Sequence, residues 1–169
     1  MGTSEVARRL RLPKSSAHGL LRSLEAVGAV EQTRQRYRLG PTVERLAAIA
    51  ELRRRWRPVL EEVARSTGET TFLGQPRARR IAIIDEVLGE GAPVISAPVG
   101  SYVPASAGAL GQVLAGSRVA EDRGEYLEGV NAVAAPVQGG LLWVAGFAAR
   151  FEAGRLPAVA ALLERLTCE

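Results

Sequence analysis

With 169 residues, 47% hydrophobic and 24% charged, the chain is long enough for one medium domain or two small ones. No apolar run approaches the ~18 residues that span a bilayer, Arg8, Arg9 and Arg11 interrupt any signal-peptide core, and the single cysteine, Cys168, excludes an internal disulfide, so a cytoplasmic protein is expected, with no membrane partner. The net charge of +4 is unevenly spread: residues 1–57 hold 13 basic and 5 acidic side chains (+8), and residues 58–169 hold 9 and 13 (−4).

A preference for arginine explains why 21 of the 22 basic residues are Arg, but not why they gather in the first third, where they would attract a polyanion.

The first predicted element is a short helix over residues 3–10, capped by Thr3 or Ser4. Arg11-Leu12-Pro13 breaks it, and proline suits the first position of a second helix over residues 13–27 that ends at Gly28. In that helix Ala17, Leu20, Leu21 and Leu24 recur at helical spacing and form a buried face. Lys14, Ser15, His18 and Arg22 fall on the opposite, wet face. Residues 29–32 and 37–39 then read as a two-stranded hairpin whose tip, residues 33–36, carries Arg34 and Arg36. Two helices joined by a tight turn and followed by a basic hairpin describe a winged helix-turn-helix, closed by Gly40-Pro41.

Helical periodicity returns over residues 42–66, with Val43, Leu46, Ala47, Ile49 and Ala50 on one side and Pro58 expected to kink or restart the helix. Arg53-Arg54-Arg55-Trp56-Arg57 reads first as a solvated charge run, with phosphate or partner contact as alternatives. After Gly68 the texture changes to strands: residues 70–74, 80–88 and 93–99, with residues 76–79 as a turn between the first two. A short helix over 106–114 follows, then strands over 130–135 and 141–147 joined around Gln138-Gly139-Gly140, and a closing helix over 157–166. Hairpin-linked strands outnumber helices here, so the fold class is α+β, with an antiparallel sheet flanked by helices.

In the first module, Leu12-Pro13-Lys14-Ser15-Ser16-Ala17-His18-Gly19-Leu20-Leu21, Leu24-Glu25, Gly28 and Tyr37-Arg38-Leu39-Gly40 resemble the IclR family of bacterial regulators. The resemblance continues through Pro58-Val59-Leu60, Thr67-Gly68-Glu69-Thr70, Val99-Gly100-Ser101-Tyr102-Val103-Pro104 and Ala107-Gly108-Ala109-Leu110-Gly111-Gln112-Val113-Leu114-Ala115. It ends with Glu125-Tyr126, Gly129-Val130 and Val133-Ala134-Ala135-Pro136-Val137, in the family's order and over nearly the whole chain. It implies a DNA module over 1–41, a linker helix over 42–57 and a GAF-like effector domain over 58–169, in a homodimer or homotetramer. It further implies a regulator, by expectation a repressor, whose operator binding a small organic acid alters, aromatic ones included. An alternative is a small-molecule sensor or oligomeric interaction protein that has lost specific DNA binding.

The sequence departs from the family in three places. The family's module has another helix before the one near Thr3, for which the chain starting at Met1 leaves no room. Val6, Leu10, Leu20, Leu21 and Leu24 would then lose apolar cover, at roughly 1.5–3 kcal/mol per large side chain left wet. A start upstream, cover from a partner chain, or a degraded module would each account for it. A stretch between Gly116 and Val119 is reduced to Ser117-Arg118, and Gly19 stands where the family usually has arginine.

The expected DNA contacts are Lys14, Ser15, Ser16 and His18 toward base edges, with Ser15, Ser16 and Arg22 alternatively on phosphates. Arg34, Arg36 and Arg38 in the wing suit phosphate or minor-groove contact, and Thr3 and Ser4 complete the expected set. For the effector, small residues and a helix start at Gly108, Ala109 and Leu110 would floor a site that attracts a carboxylate, with Tyr102 as wall or hydroxyl; the residues by themselves read first as glycines that only permit tight packing, and the resemblance favours the site. By resemblance the opposite wall comes from Ala132, Gly146 and Ala148. Family members that bind small polar acids tend to place serine or cysteine there, so a hydrophobic or aromatic ligand fits this chain better, or none at all. Catalysis is not expected: His18 is the only histidine, Cys168 is penultimate, and Asp85-Glu86 and Glu121-Asp122 read as surface carboxylates. One histidine and one cysteine make a zinc site improbable, and no cofactor is expected.

Overall fold

A computed structural model describes residues 1–90 and 93–167. The chain divides into two compact units, Met1–Glu51 and Leu52–Glu169.

In the first unit, helix α1 (Thr3–Leu10) and helix α2 (Lys14–Ala26) precede a hairpin of β1 (Val30–Thr33) and β2 (Arg36–Leu39). Neither Thr3 nor Ser4 caps α1; Gly2 is the N-cap and makes no side-chain cap bond. Pro13 likewise stands one place outside α2, as its N-cap, with its carbonyl accepting Ala17 N–H at 3.0 Å. The α1–α2 turn closes through Arg11, at a left-handed φ of 54°, with Arg11 N–H bonding the carbonyl of Arg8 at 3.3 Å and Leu12 N–H that of Ala7 at 2.9 Å. Gly28, at φ 68°, ends α2 with bonds from Gly28 and Ala29 N–H to the carbonyls of Glu25 and Leu24. Val6, Ala7, Ala17, Leu21 and Tyr37 form the unit's core, with Val30 against it. The expected buried face of α2 holds only in part: Leu20 is 44% exposed, as is Leu10 of α1 at 54%.

Helix α3 (Pro41–Thr67) is continuous, and Pro58 neither breaks nor restarts it. Proline removes the bond to the carbonyl of residue 54, but Pro58 and Arg54 both lie on the exposed side, where that carbonyl is not buried against apolar neighbours. Leu46, Ala47 and Ala50 of its first half are exposed, whereas Leu52, Trp56, Leu60, Val63 and Ala64 of its second half are buried.

The second unit is a six-stranded antiparallel sheet in the order β5-β4-β3-β8-β7-β6. Its strands are β3 (Thr70–Arg77), β4 (Arg80–Val87), β5 (Tyr102–Pro104), β6 (Ala120–Arg123), β7 (Val130–Val137) and β8 (Gly140–Phe147). Helix α4 (Gly108–Leu114) and helix α5 (Leu156–Thr167) complete the unit, with a 3-10 turn at Ala153–Arg155. Period-two alternation gives the sheet two apolar faces. Phe72, Ile81, Ala134, Leu141, Trp143 and Ala145 pack with Ala109, Leu110 and Val113 of α4. Leu73, Val133, Leu142 and Val144, all fully buried, point to the other face, and α5 packs along β7. Leu73 opposes Asp85 in the β3–β4 register, and Arg57 of α3 bonds that carboxylate at 3.1 Å.

In the second unit two expectations are corrected and one strand is new. Residues 93–99 form no strand: Ala97 N–H bonds the Glu86 side chain instead of a neighbouring strand, and β5 takes the edge of β4. The turn between β3 and β4 is only Ala78-Arg79, because β3 runs on through Pro76 and Arg77. Strand β6 was not expected at all.

Candidate nucleic-acid interface and ligand cavity

The first unit carries cations on α2 and on the hairpin, besides the exposed Arg8, Arg9 and Arg11 at the end of α1. Ala17 and Leu21 turn α2 inward, so Lys14, Ser15, Ser16, His18 and Arg22 are all exposed on its outer surface. Lys14, His18 and Arg22 follow at four-residue spacing, one above another. Gly19 interrupts this surface, and a Cβ added there would meet nothing within 4 Å. Thr3 is half-buried and Ser4 exposed at the start of α1, not on α2.

Arg34 and Gln35 form the two-residue tip of the hairpin, with φ of 47° and 64°. Positive φ at both central residues is the type I′ turn, which favours Asn-Gly. Here an arginine and a glutamine adopt it, at about 1–2 kcal/mol per residue. Arg34 and Arg36 make no ion pair among the described residues, while Arg38 is held by Glu31 across the strands. The Tyr37 ring anchors the wing in the core, and its hydroxyl has no hydrogen-bond partner among the described residues.

The second unit contains an apolar cavity of about 170 Å³ between the sheet and α4. Phe72 and Trp143, stacked at 5.1 Å, form one wall, and Ala109 and Leu110 of α4 form another. Ala132 lines it as well, and the half-exposed Tyr126 and Leu127 border it. Of the expected effector residues, then, Ala109, Leu110 and Ala132 share this cavity. Gly108 instead borders an adjoining open cleft of about 980 Å³, with Arg79, Ser106, Gln112 and Glu125. Tyr102 is 52% exposed on β5 beneath the Arg80 guanidinium and reaches neither space. Gly146 lies against the buried Glu69 carboxylate, and Ala148 sits in the turn after β8, both outside the lining.

Sequence reasoning missed the one charged group in the cavity lining, Asp122, and took Glu121-Asp122 as surface carboxylates. Period-two alternation puts Glu121 outward and buries Asp122 to 5% exposure, with Oδ1 accepting Glu125 N–H at 2.7 Å and Tyr126 N–H at 3.4 Å. Its carboxylate fills the space beside Gly108, where a Cβ would overlap it. That the alternate residue, Ala120, is apolar was the available signal.

The arginine run on α3 is not simply solvated. Arg53 and Arg57 bond the buried Asp85 at 3.3 and 3.1 Å, and Arg55 lies over the buried Trp56. A hydrogen bond to Glu61, with the charge of Asp85 adding to it, raises the Arg57 pKa further above its ordinary range. Arg150 is raised likewise by its hydrogen bond to Glu69. Both are ties between parts of the fold. Cys168 lies outside the described residues, and among the described residues no group of His, Cys, Asp and Glu is placed to hold a metal. No helix of the described residues is long and apolar enough to cross a membrane.

Two family models match the chain: the IclR helix-turn-helix domain over residues 1–34, and the bacterial transcriptional regulator IclR C-terminal domain over residues 45–117. The Glycerol operon regulatory protein of Streptomyces coelicolor is 35% identical over 120 residues, 68% of this chain and 47% of that protein. The chain thus spans about half the length of the curated relatives it matches. Among solved structures, an IclR family transcriptional regulator from Brucella abortus superposes with a TM-score of 0.62 at 18% identity, over 99% of this chain and 82% of that one. An IclR homolog from Microbacterium hydrocarbonoxydans, complexed with 4-hydroxybenzoate, does so with a TM-score of 0.50 at 18% identity, over 98% and 90%. At such identities these two speak for the fold alone. The matched families are transcriptional regulators and not enzymes.

Proposed function

The chain belongs to the IclR family of bacterial transcriptional regulators, and from that premise we propose that it binds operator DNA through α2 and the β1–β2 wing, under the control of a small organic ligand held in the second unit. One observation carries the DNA reading: every polar or basic residue expected to meet DNA on α2 is exposed, while Ala17 and Leu21 on its other side are buried. A helix fits the major groove, and its first turns reach base edges. Lys14, Ser15, Ser16 and His18 occupy those turns, Arg22 stands a turn further on, and Arg34 and Arg36 project from the wing toward the backbone. Arg38, tied to Glu31, would serve as a second-rank phosphate contact, and Thr3 and Ser4 as contacts from α1. Domain limits of 1–41, 42–57 and 58–169, a homodimeric or homotetrameric state, repression as the mode of action and a cytoplasmic location belong to the same proposal.

The apolar cavity of the second unit supports the effector half of the reading, and the 4-hydroxybenzoate held by the Microbacterium homolog is consistent with an aromatic ligand. The test is an anisotropy titration against the region upstream of the protein's own gene, with random DNA as competitor, at several salt concentrations. A specific regulator prefers its operator by about 10³-fold or more, with affinity falling steeply as salt rises. Equal affinity for random DNA would favour the alternative, a sensor without specific DNA binding.

A further inference from the structure

We infer that the cavity between α4 and the sheet takes an uncharged or cationic single-ring ligand and turns carboxylates away. The inference rests on reading the second unit as a ligand-binding domain, and it narrows the ligand's chemistry. Four observations carry it. First, no Arg, Lys or His is among the residues that line the cavity, so an anion would find no counter-charge. Second, the one charged lining group is itself a carboxylate, Asp122, buried to 5% exposure. Like charges at close range in a desolvated site repel strongly. Third, the space beside Gly108 at the start of α4, where an acid was expected, is already filled by the Asp122 carboxylate. Fourth, the remaining walls are apolar, with Phe72, Trp143, Ile83 and Leu110 prominent.

Size limits the ligand further. The cavity is about 170 Å³, and an engineered apolar cavity of about 150 Å³ in another protein stays dry and takes benzene. One ring with a short substituent fills this volume. Asp122 Oδ1 accepts two backbone N–H groups and Oδ2 lies beside Gly108, so the one charged group of the lining stands at that end of the cavity. A hydroxyl or ammonium on the ring would find its acceptor there.

Calorimetric titration of the intact chain with benzyl alcohol, benzylammonium and benzoate, three probes of one shape and different charge, tests this without DNA. Benzyl alcohol and benzylammonium should bind, and benzoate at least tenfold more weakly than the alcohol. Asp122→Asn should narrow the gap between alcohol and benzoate at least fivefold and weaken benzylammonium. Ala132→Leu, which fills part of the cavity, should abolish alcohol binding with the circular dichroism spectrum unchanged. Benzoate binding the unaltered chain as tightly as the alcohol, or no alcohol binding, would overturn the inference whether or not the variants fold. The expected probe order combined with DNA affinity indifferent to the probes would instead count against the regulatory reading alone.

Discussion

Gly19 offers a way to separate the stability of the first unit from the DNA contact proposed for it. It lies inside α2 on the exposed side, and a side chain there would meet no atom within 4 Å. Replacing a helix-interior glycine by alanine in open space gains about 0.8–1 kcal/mol, because the unfolded chain loses freedom and the helix loses nothing. For a chain of this size that is a rise of about 2–4 °C in Tm. Arginine ranks close to alanine in helix propensity, so Gly19→Ala and Gly19→Arg should stabilise to similar extents. Their DNA affinities should differ. The added guanidinium lies one turn beyond Ser15 and near Arg22, and one new phosphate contact steepens the slope of log K against log salt by about 0.9. Scanning calorimetry reads the first effect, and anisotropy at four or more salt concentrations reads the second. A destabilised Gly19→Ala would refute the open-space argument. Equal salt slopes for the two variants would show that this side of α2 does not face the phosphates.

Replacing Arg34 and Arg36 together by alanine should weaken binding to all sequences alike and lower the salt slope by about 2, whereas Ser15→Ala should act on particular base positions, as binding to a panel of single-base operator variants would reveal. Equal loss on every sequence for both would remove the division of roles. Leu142→Ala, at a fully buried position on β8, should cost about 2–5 kcal/mol in urea unfolding monitored by circular dichroism, with the slope unchanged. Gly108→Ala should lower Tm because the new methyl overlaps the Asp122 carboxylate and the backbone there has φ 34°. Combining it with Asp122→Ser should restore part of the loss, and strictly additive effects would show that the two positions do not press on one another.

The first unit was legible because its signals are local. Pro13, Gly28 and the apolar spacing of α2 punctuate a helix within a few residues of sequence, and the exposed side of that helix followed from the same period. The hairpin was legible too, though the tip carries no Asn-Gly. The second unit was harder because alternation alone does not distinguish a strand from an extended segment. Residues 93–99 have the look of a strand yet bond a side chain, Glu86, in place of a ladder. Strand β6, Ala-Glu-Asp-Arg, is polar at three of four positions and was passed over, and with it the buried Asp122. The cavity was the least visible feature, since all six strands of the sheet and α4 contribute one to three residues each to it and no window of sequence holds them together.

The corner of the wing has a consequence for anyone who would redesign this protein. Arg34 and Gln35 bend where an Asn-Gly pair would bend at ease, so the loop holds tension that a substitution could release. A variant carrying Asn-Gly there should tolerate more heat and also hold nucleic acid less firmly, since the same exchange deletes a guanidinium. Exchanging Gln35 alone for glycine should keep the guanidinium and release only part of that tension.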